Sequence, residues 1–229
     1  LTELSQVLDH MREFSDPRAV AIWAKVGMPT DTYIGVSLTN LKTIAKTIKK
    51  NHDLALTLWQ TGIHDARLLA TMIEEPKQVT LDQIIHQSDD FDFWDLADKY
   101  CKNVIGKTTM SSHFIDLWKD SDIEMKKRSA YILLSGYAGQ KKTGIDDSYF
   151  ESFLRVIQDS ITTEKNWVKE AMIYALIGIG SRNPHLHEQA LSVARHVGTI
   201  EVDYGDTSCQ TPDPIKILTS DRTKKKLEA

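Results

Sequence analysis

An all-α fold is predicted by three observations. Apolar residues recur at three- and four-residue steps along nearly the whole chain, the mark of helices buried along one face. No run of alternating β-branched residues bounded by hairpin turns occurs before the C-terminal tail, so strands are not expected. Helices also come in similar pairs: Leu58-Trp59-Gln60-Thr61 followed by Arg67-Leu68-Leu69-Ala70 resembles Leu117-Trp118-Lys119-Asp120 followed by Lys127-Arg128-Ser129-Ala130. Val156-Ile157-Gln158-Asp159 followed by Val168-Lys169-Glu170-Ala171 is a fainter third copy, and Ala130 and Ala171 lie 41 residues apart. That spacing falls inside the ~40–47 period of HEAT-type helix pairs. The expected architecture is a right-handed superhelical stack of HEAT-like antiparallel helix pairs, an α-solenoid with an irregular C-terminal tail. A generic helical bundle with coincidental spacing is the alternative.

Helices are expected over 2–14, 16–25, 37–50, 53–61, 64–74, 80–87, 91–105, 110–119, 122–138, 147–161, 164–180 and 184–197. Asp16-Pro17 supplies an N-cap with proline at the first helical position. Gly62 and Gly139 stand where C-terminal glycines belong, and Ser181-Arg182-Asn183-Pro184 breaks one helix and opens the next. After residue 198 the chain turns poor in helix formers. Residues 1–198 are expected to form the repeat domain and 199–229 an extended tail packed on it, with a short helix from Pro214 and a solvated Lys224-Lys225-Lys226 end.

The 229 residues suffice for a sizeable core, and 26% charged with 41% hydrophobic residues is ordinary for a globular protein. Neither a signal-peptide pattern nor an apolar run near the ~18 residues of a membrane span is read, so no membrane partner is expected. Cys101 and Cys209 lie far apart, which is neither a disulfide framework nor a zinc pattern and fits a cytoplasmic protein. A net charge of −4 does not by itself announce a nucleic-acid partner.

The stretch Phe91-Asp92-Phe93-Trp94-Asp95-Leu96-Ala97-Asp98-Lys99-Tyr100 carries the most chemistry. Trp94 and Asp98, four residues apart on a helix, lie one above the other. At ~100° per residue Phe93, Leu96, Ala97, Tyr100 and Val104 share the core arc. Trp94 and Asp98 fall on its flank with Cys101 and Ile105, while Asp95, Lys99 and Lys102 point further toward water. A carboxylate beside an indole suits a cation. The plainer reading is a tryptophan packed at the core edge beside a surface carboxylate.

Arg67, Lys126, Lys127, Arg128, Lys165 and Lys169 recur near the starts of second helices. Stacked in register they would form a basic stripe for duplex phosphates, against the alternative of ordinary solvated charge. His185 and His187, two apart, share no helix face, and His10, His52, His64, His86, His113 and His196 lack companions at ligand spacing, so no metal site is expected. Neither cysteine sits in a nucleophile motif, and no phosphate-binding glycine loop is present.

The helical repeats, the Trp94/Asp98 segment and the early Gly27-Met28-Pro29-Thr30-Asp31-Thr32-Tyr33-Ile34-Gly35-Val36 together resemble the AlkD family of DNA alkylation-repair glycosylases, over about residues 15 to 198. In that family a Trp-Asp-x-x-Asp segment supplies an aromatic and the catalytic acid, which match Trp94 and Asp98. Met125-Lys126-Lys127-Arg128-Ser129-Ala130 is similar to the family's Arg-containing helix start, which implies backbone contacts by Arg128 and Lys127. Trp167-Val168-Lys169-Glu170-Ala171-Met172-Ile173-Tyr174-Ala175-Leu176 is similar to the later DNA-facing helix, with Lys169 toward the backbone and Tyr174 toward the lesion. Tyr174 stands where the best-known members have a second tryptophan, and Ile177 where an arginine is expected. The tail around Asp206-Thr207-Ser208-Cys209 resembles a feature of one branch.

The resemblance implies a hydrolytic N-glycosylase that removes cationic N3- or N7-alkylated purines from double-stranded DNA, as a monomer and without metal or cofactor. No lysine stands at the site for a Schiff base, so lyase activity is not expected. Two alternatives are a DNA-binding repeat protein of bent, branched or damaged DNA without this activity, and a protein-interaction scaffold.

Overall fold

The computed structural model describes residues 3–28, 30–140 and 144–228. Thr2, in the first expected helix, and Pro29, in the early motif, lie outside the described residues. Each expected helix is present, with ends displaced by a few residues. These are α1 (Leu4–Arg12), α2 (Pro17–Lys25), α3 (Leu38–Ile48), α4 (His52–Gln60), α5 (His64–Ile73) and α6 (Leu81–Ser88). There follow α7 (Trp94–Asn103), α8 (Ser111–Trp118), α9 (Glu124–Ala138), α10 (Asp147–Ser160), α11 (Asn166–Gly180) and α12 (Pro184–Val197). A 3-10 turn, Ile105–Lys107, follows α7, and the tail adds α13 (Pro214–Leu218) and α14 (Asp221–Glu228). Lys224, Lys225 and Lys226 are exposed as expected, but they are helical. Ser15 and Val36 form an isolated antiparallel β-bridge, and no strand is found among the described residues.

Helix starts follow residue chemistry. Asp16 accepts the Arg18 N–H with Pro17 in the first helical position, and Ser37, Asn51 and Thr80 each accept the N–H three residues on. Asn183-Pro184 and Asp213-Pro214 open α12 and α13 in the same manner. Each such cap contributes about 1 kcal/mol.

The start of α7 departs from expectation. It begins at Trp94 rather than near residue 91, because Phe93 is extended at φ −149°, ψ 163°. In extended backbone, neighbouring side chains point to opposite sides. Phe91 and Phe93 therefore both enter the core, and Asp92 between them faces away. Phe91 packs 5.3 Å from the Tyr100 ring, which lies 5.1 Å from Trp59. Apolar burial at alternate positions thus overrides the helical period for these three residues.

The helices gather into two compact units. The first runs to Thr109 and includes Tyr204–Ser208; the second runs from Met110 to Asp203 and resumes at Cys209. The expected tail is therefore divided between them. In the first unit α5 packs against α3, α4 and α7, and nearly every side of α5 is buried. In the second, α9 packs against α8 and α11, while α12 packs against α10, α11 and α13. Gly178 allows α11 to approach α9: a Cβ there would meet the Ser135 carbonyl oxygen at 2.7 Å.

Candidate functional site

In α7 the buried face is Leu96, Ala97, Tyr100 and Cys101, continued by Val104 and Ile105. Cys101 and Ile105 are therefore core residues, not flank residues. Burial of apolar area drives their turn of the helix inward. Trp94 and Asp98 remain half-buried, one turn apart on the border of that face. The Trp94 ring lies 5.8 Å from that of Phe93 at 46°. Lys102 continues the four-residue steps beyond Asp98 and is exposed.

Asp95 does not point to water. Its carboxylate lies 3.1 Å from Nε2 of His64, which has no exposed surface. Both Asp92 oxygens lie 3.1 Å from Nδ1 of the same ring. Burial opposes the positive form of His64, but hydrogen bonds to Asp92 and Asp95 outweigh it and the pKa is pushed up to about 9. A protonated imidazole donates from both nitrogens, so it clamps the entry of α7 to the start of α5.

The Tyr33 ring stacks on His64 at 4.1 Å and 17°, and Trp23 lies against Tyr33 at 5.3 Å. Burial, followed by the charges of Asp95, Asp92 and Asp65, holds the Tyr33 phenol far above its ordinary range. Its hydroxyl is buried and has no hydrogen-bond partner among the described residues. Asp65 accepts the N–H groups of Ile34 at 2.7 Å and Val36 at 2.9 Å, fixing the loop that carries Tyr33. Burial raises the Asp65 pKa against the lowering effect of those donors. The sequence shows no local signal for this cluster, because His64 meets Asp92 and Asp95 across 28 and 31 residues.

Several expected phosphate contacts have structural partners instead. Arg128 has no exposed side-chain surface; its Nη1 donates to Glu170 Oε2 at 2.9 Å and to the Trp167 carbonyl at 2.7 Å. It therefore joins α9 to α11 inside the second unit. Lys127 pairs with Glu164, and Arg67 pairs with Asp90 at 3.0 Å while lying 5.5 Å from the Trp59 ring centroid. Lys165 donates to the Asp122 carbonyl at 2.7 Å. Lys169 is half-buried and forms no ion pair among the described residues. Tyr174 is half-buried, with its hydroxyl 3.4 Å from Glu170 Oε1, and Ile177 is half-buried. Trp94 and Asp98 belong to the first unit; Lys127, Arg128, Lys169 and Tyr174 belong to the second.

A different set of cations lines a groove of about 600 Å³ in the first unit: Lys42, Lys46 and Lys50 on and after α3, Lys99 and Lys102 on α7, and Lys107. The four-residue steps of the first three were available in the sequence. Their meeting with α7 was not. His185 and His187 are occupied otherwise, by Glu151 at 2.7 Å and the Gly180 carbonyl at 2.8 Å.

Residues 7–201 match the family described as DNA alkylation repair enzyme. An uncharacterized protein of Listeria monocytogenes is 25% identical over 226 residues, covering 96% of this chain and 98% of its own. One of Listeria innocua is 25% identical over 224 residues, covering 96% and 97%. A solved structure, 23% identical, superposes with a TM-score of 0.85 over 99% of this chain and 96% of its own. It is described as a new family of proteins related to the HEAT-like repeat DNA glycosylases with affinity for branched DNA structures. By fold this chain is thus a HEAT-like helical-repeat protein, and by the match across most of its length it belongs to the DNA alkylation repair enzyme family.

Proposed function

We propose that this protein binds double-stranded DNA and hydrolyses the N-glycosidic bond of cationic N3- or N7-alkylated purines at Trp94 and Asp98. The observation that supports this most is the state of that pair. A half-buried carboxylate sits one turn after a half-buried indole, at the border of the helix face that enters the core. An alkylated purine carries positive charge on its ring, and an aromatic wall attracts it by ~0.5–2 kcal/mol. As the C1′–N bond breaks, its electron pair passes to the purine, which leaves neutral. Positive charge then develops on the sugar, where a fixed carboxylate stabilises it. Water adds to C1′, and its proton passes to Asp98 and on to solvent.

A second reading, binding of branched DNA without base release, has its own support. Arg128 is committed to Glu170, Ile177 offers no charge, and the solved relative belongs to a family with affinity for branched DNA. Incubation with methylated duplex, followed by chromatography of free bases, separates the two. Released 7-methylguanine supports the first. Intact bases together with preferential binding of a four-way junction overturn the first and select the second.

A further inference from the structure

We propose that the lysine groove between α3, the end of α5 and α7 holds the phosphodiester backbone of a DNA strand through Lys42, Lys46, Lys99, Lys102 and Lys107. This rests on the DNA-binding reading and assigns its backbone site. The groove contains six lysines and no acidic residue in its lining, in a chain whose net charge is −4. Lys50 is set apart from the other five because its Nζ donates to the Met72 and Glu74 carbonyls at 3.0 and 2.8 Å, capping α5. The other five form no ion pair among the described residues, whereas Arg67, Lys127 and Arg128 each do. The rest of the lining is neutral, with Ala45, Met72 and Pro76 offering apolar surface for sugar faces.

Helix ends do not account for the cluster. The C-termini of α3, α5 and α7 each carry about half a negative elementary charge, so three ends offset roughly one and a half of the positive charges. Most of the charge remains. Lys42/Lys46 and Lys99/Lys102, at four- and three-residue spacing, repel within their own helices by a few tenths of a kcal/mol per pair. A polyanion relieves that repulsion and releases its own counterions on binding.

The arrangement favours a chain of anions over a single one. Its cations come from separate elements, α3, α7 and the turn after α7, and line one groove. Lys102 lies about 12 Å along α7 from Trp94, at ~1.5 Å per residue. A strand presenting a base to Trp94 can therefore lay neighbouring phosphates along the lysines.

The test is fluorescence anisotropy with labelled duplex DNA across a salt series. It compares the wild type, a Lys46→Ala/Lys99→Ala/Lys102→Ala variant, and a Lys224→Ala/Lys225→Ala/Lys226→Ala control that removes equal charge from α14. The groove variant is expected to flatten the slope of log K against log salt by about 2 to 3 and to weaken low-salt binding at least tenfold, with the control close to wild type. A groove variant whose slope equals that of the wild type overturns the proposal while leaving the DNA reading standing. No duplex binding by the wild type removes both. Displacement of DNA by polyglutamate of matched charge as effectively as by unlabelled duplex overturns the assignment to a nucleic-acid backbone. Asp98→Asn is expected to keep the wild-type slope, which separates the groove from the base-release chemistry.

Discussion

Asp95 and His64 are joined at 3.1 Å, between a carboxylate in the first turn of α7 and an imidazole with no exposed surface at the start of α5. Asp95 is the immediate neighbour of Trp94, so this contact, with that of Asp92 to the same ring, sets where the indole and Asp98 begin their helix. Because the folded pKa of about 9 lies above the ordinary 6.5, the stabilisation is fully present below pH 6.5. It is lost as pH rises through about 9. Chemical denaturation from pH 6 to 10 should show falling stability, and His64→Gln should remove most of that slope while costing about 2–3 kcal/mol near neutral pH. A slope unchanged in His64→Gln would show that another group titrates.

Tyr33 contributes ring stacking on His64, while its hydroxyl makes no hydrogen bond among the described residues. Tyr33→Phe removes a buried, unsatisfied polar group and should leave stability unchanged or raise it by up to about 1 kcal/mol. Tyr33→Ala should cost about 3 kcal/mol or more, because the stack and the packing against Trp23 are lost together. Equal destabilisation by both substitutions, read from urea midpoints, would contradict this division.

Arg128 and Glu170 form a buried pair. Arg128→Met alone leaves the Glu170 carboxylate buried without its cation and should destabilise by about 3–5 kcal/mol, whereas Arg128→Met with Glu170→Met should recover most of the loss. The salt dependence of DNA binding by the double variant should match the wild type. A slope smaller by about one would return Arg128 to the phosphate contacts.

Gly178 sits where α11 meets α9, with the Ser135 backbone inside 3 Å of any added Cβ. Alanine favours helices intrinsically by about 1 kcal/mol over glycine. The clash is with backbone and cannot be relieved by a side-chain rotation, so it should win. Gly178→Ala is expected to lower stability by about 1–3 kcal/mol, and a rise in the thermal midpoint would contradict the close approach.

Most of the fold could be read from the sequence because its signals are local. Asp16-Pro17, Asn183-Pro184 and Asp213-Pro214 each open a helix where capping chemistry places it. Phe91–Phe93 misled the helical reading because two buried aromatics at alternate positions satisfy an extended segment as well as a helix. The Trp94/Asp98 spacing was readable, since both lie on one turn of α7. The status of the cations was not. Whether an arginine faces a phosphate or a buried glutamate is decided by a partner 42 residues away, as Arg128 and Glu170 show. Likewise Lys46 and Lys102 belong to one groove only because α3 and α7 both pack on α5.

The role proposed for Asp98 is chemistry on a base held at Trp94. The direct measurement is single-turnover release of 7-methylguanine from methylated duplex, with protein in excess so that binding does not limit the rate. Wild type is predicted to release the base, and Asp98→Asn to do so ~10²–10³-fold more slowly with unchanged affinity for the duplex. Equal rates for the two proteins, or no release by the wild type under full occupancy, would contradict it.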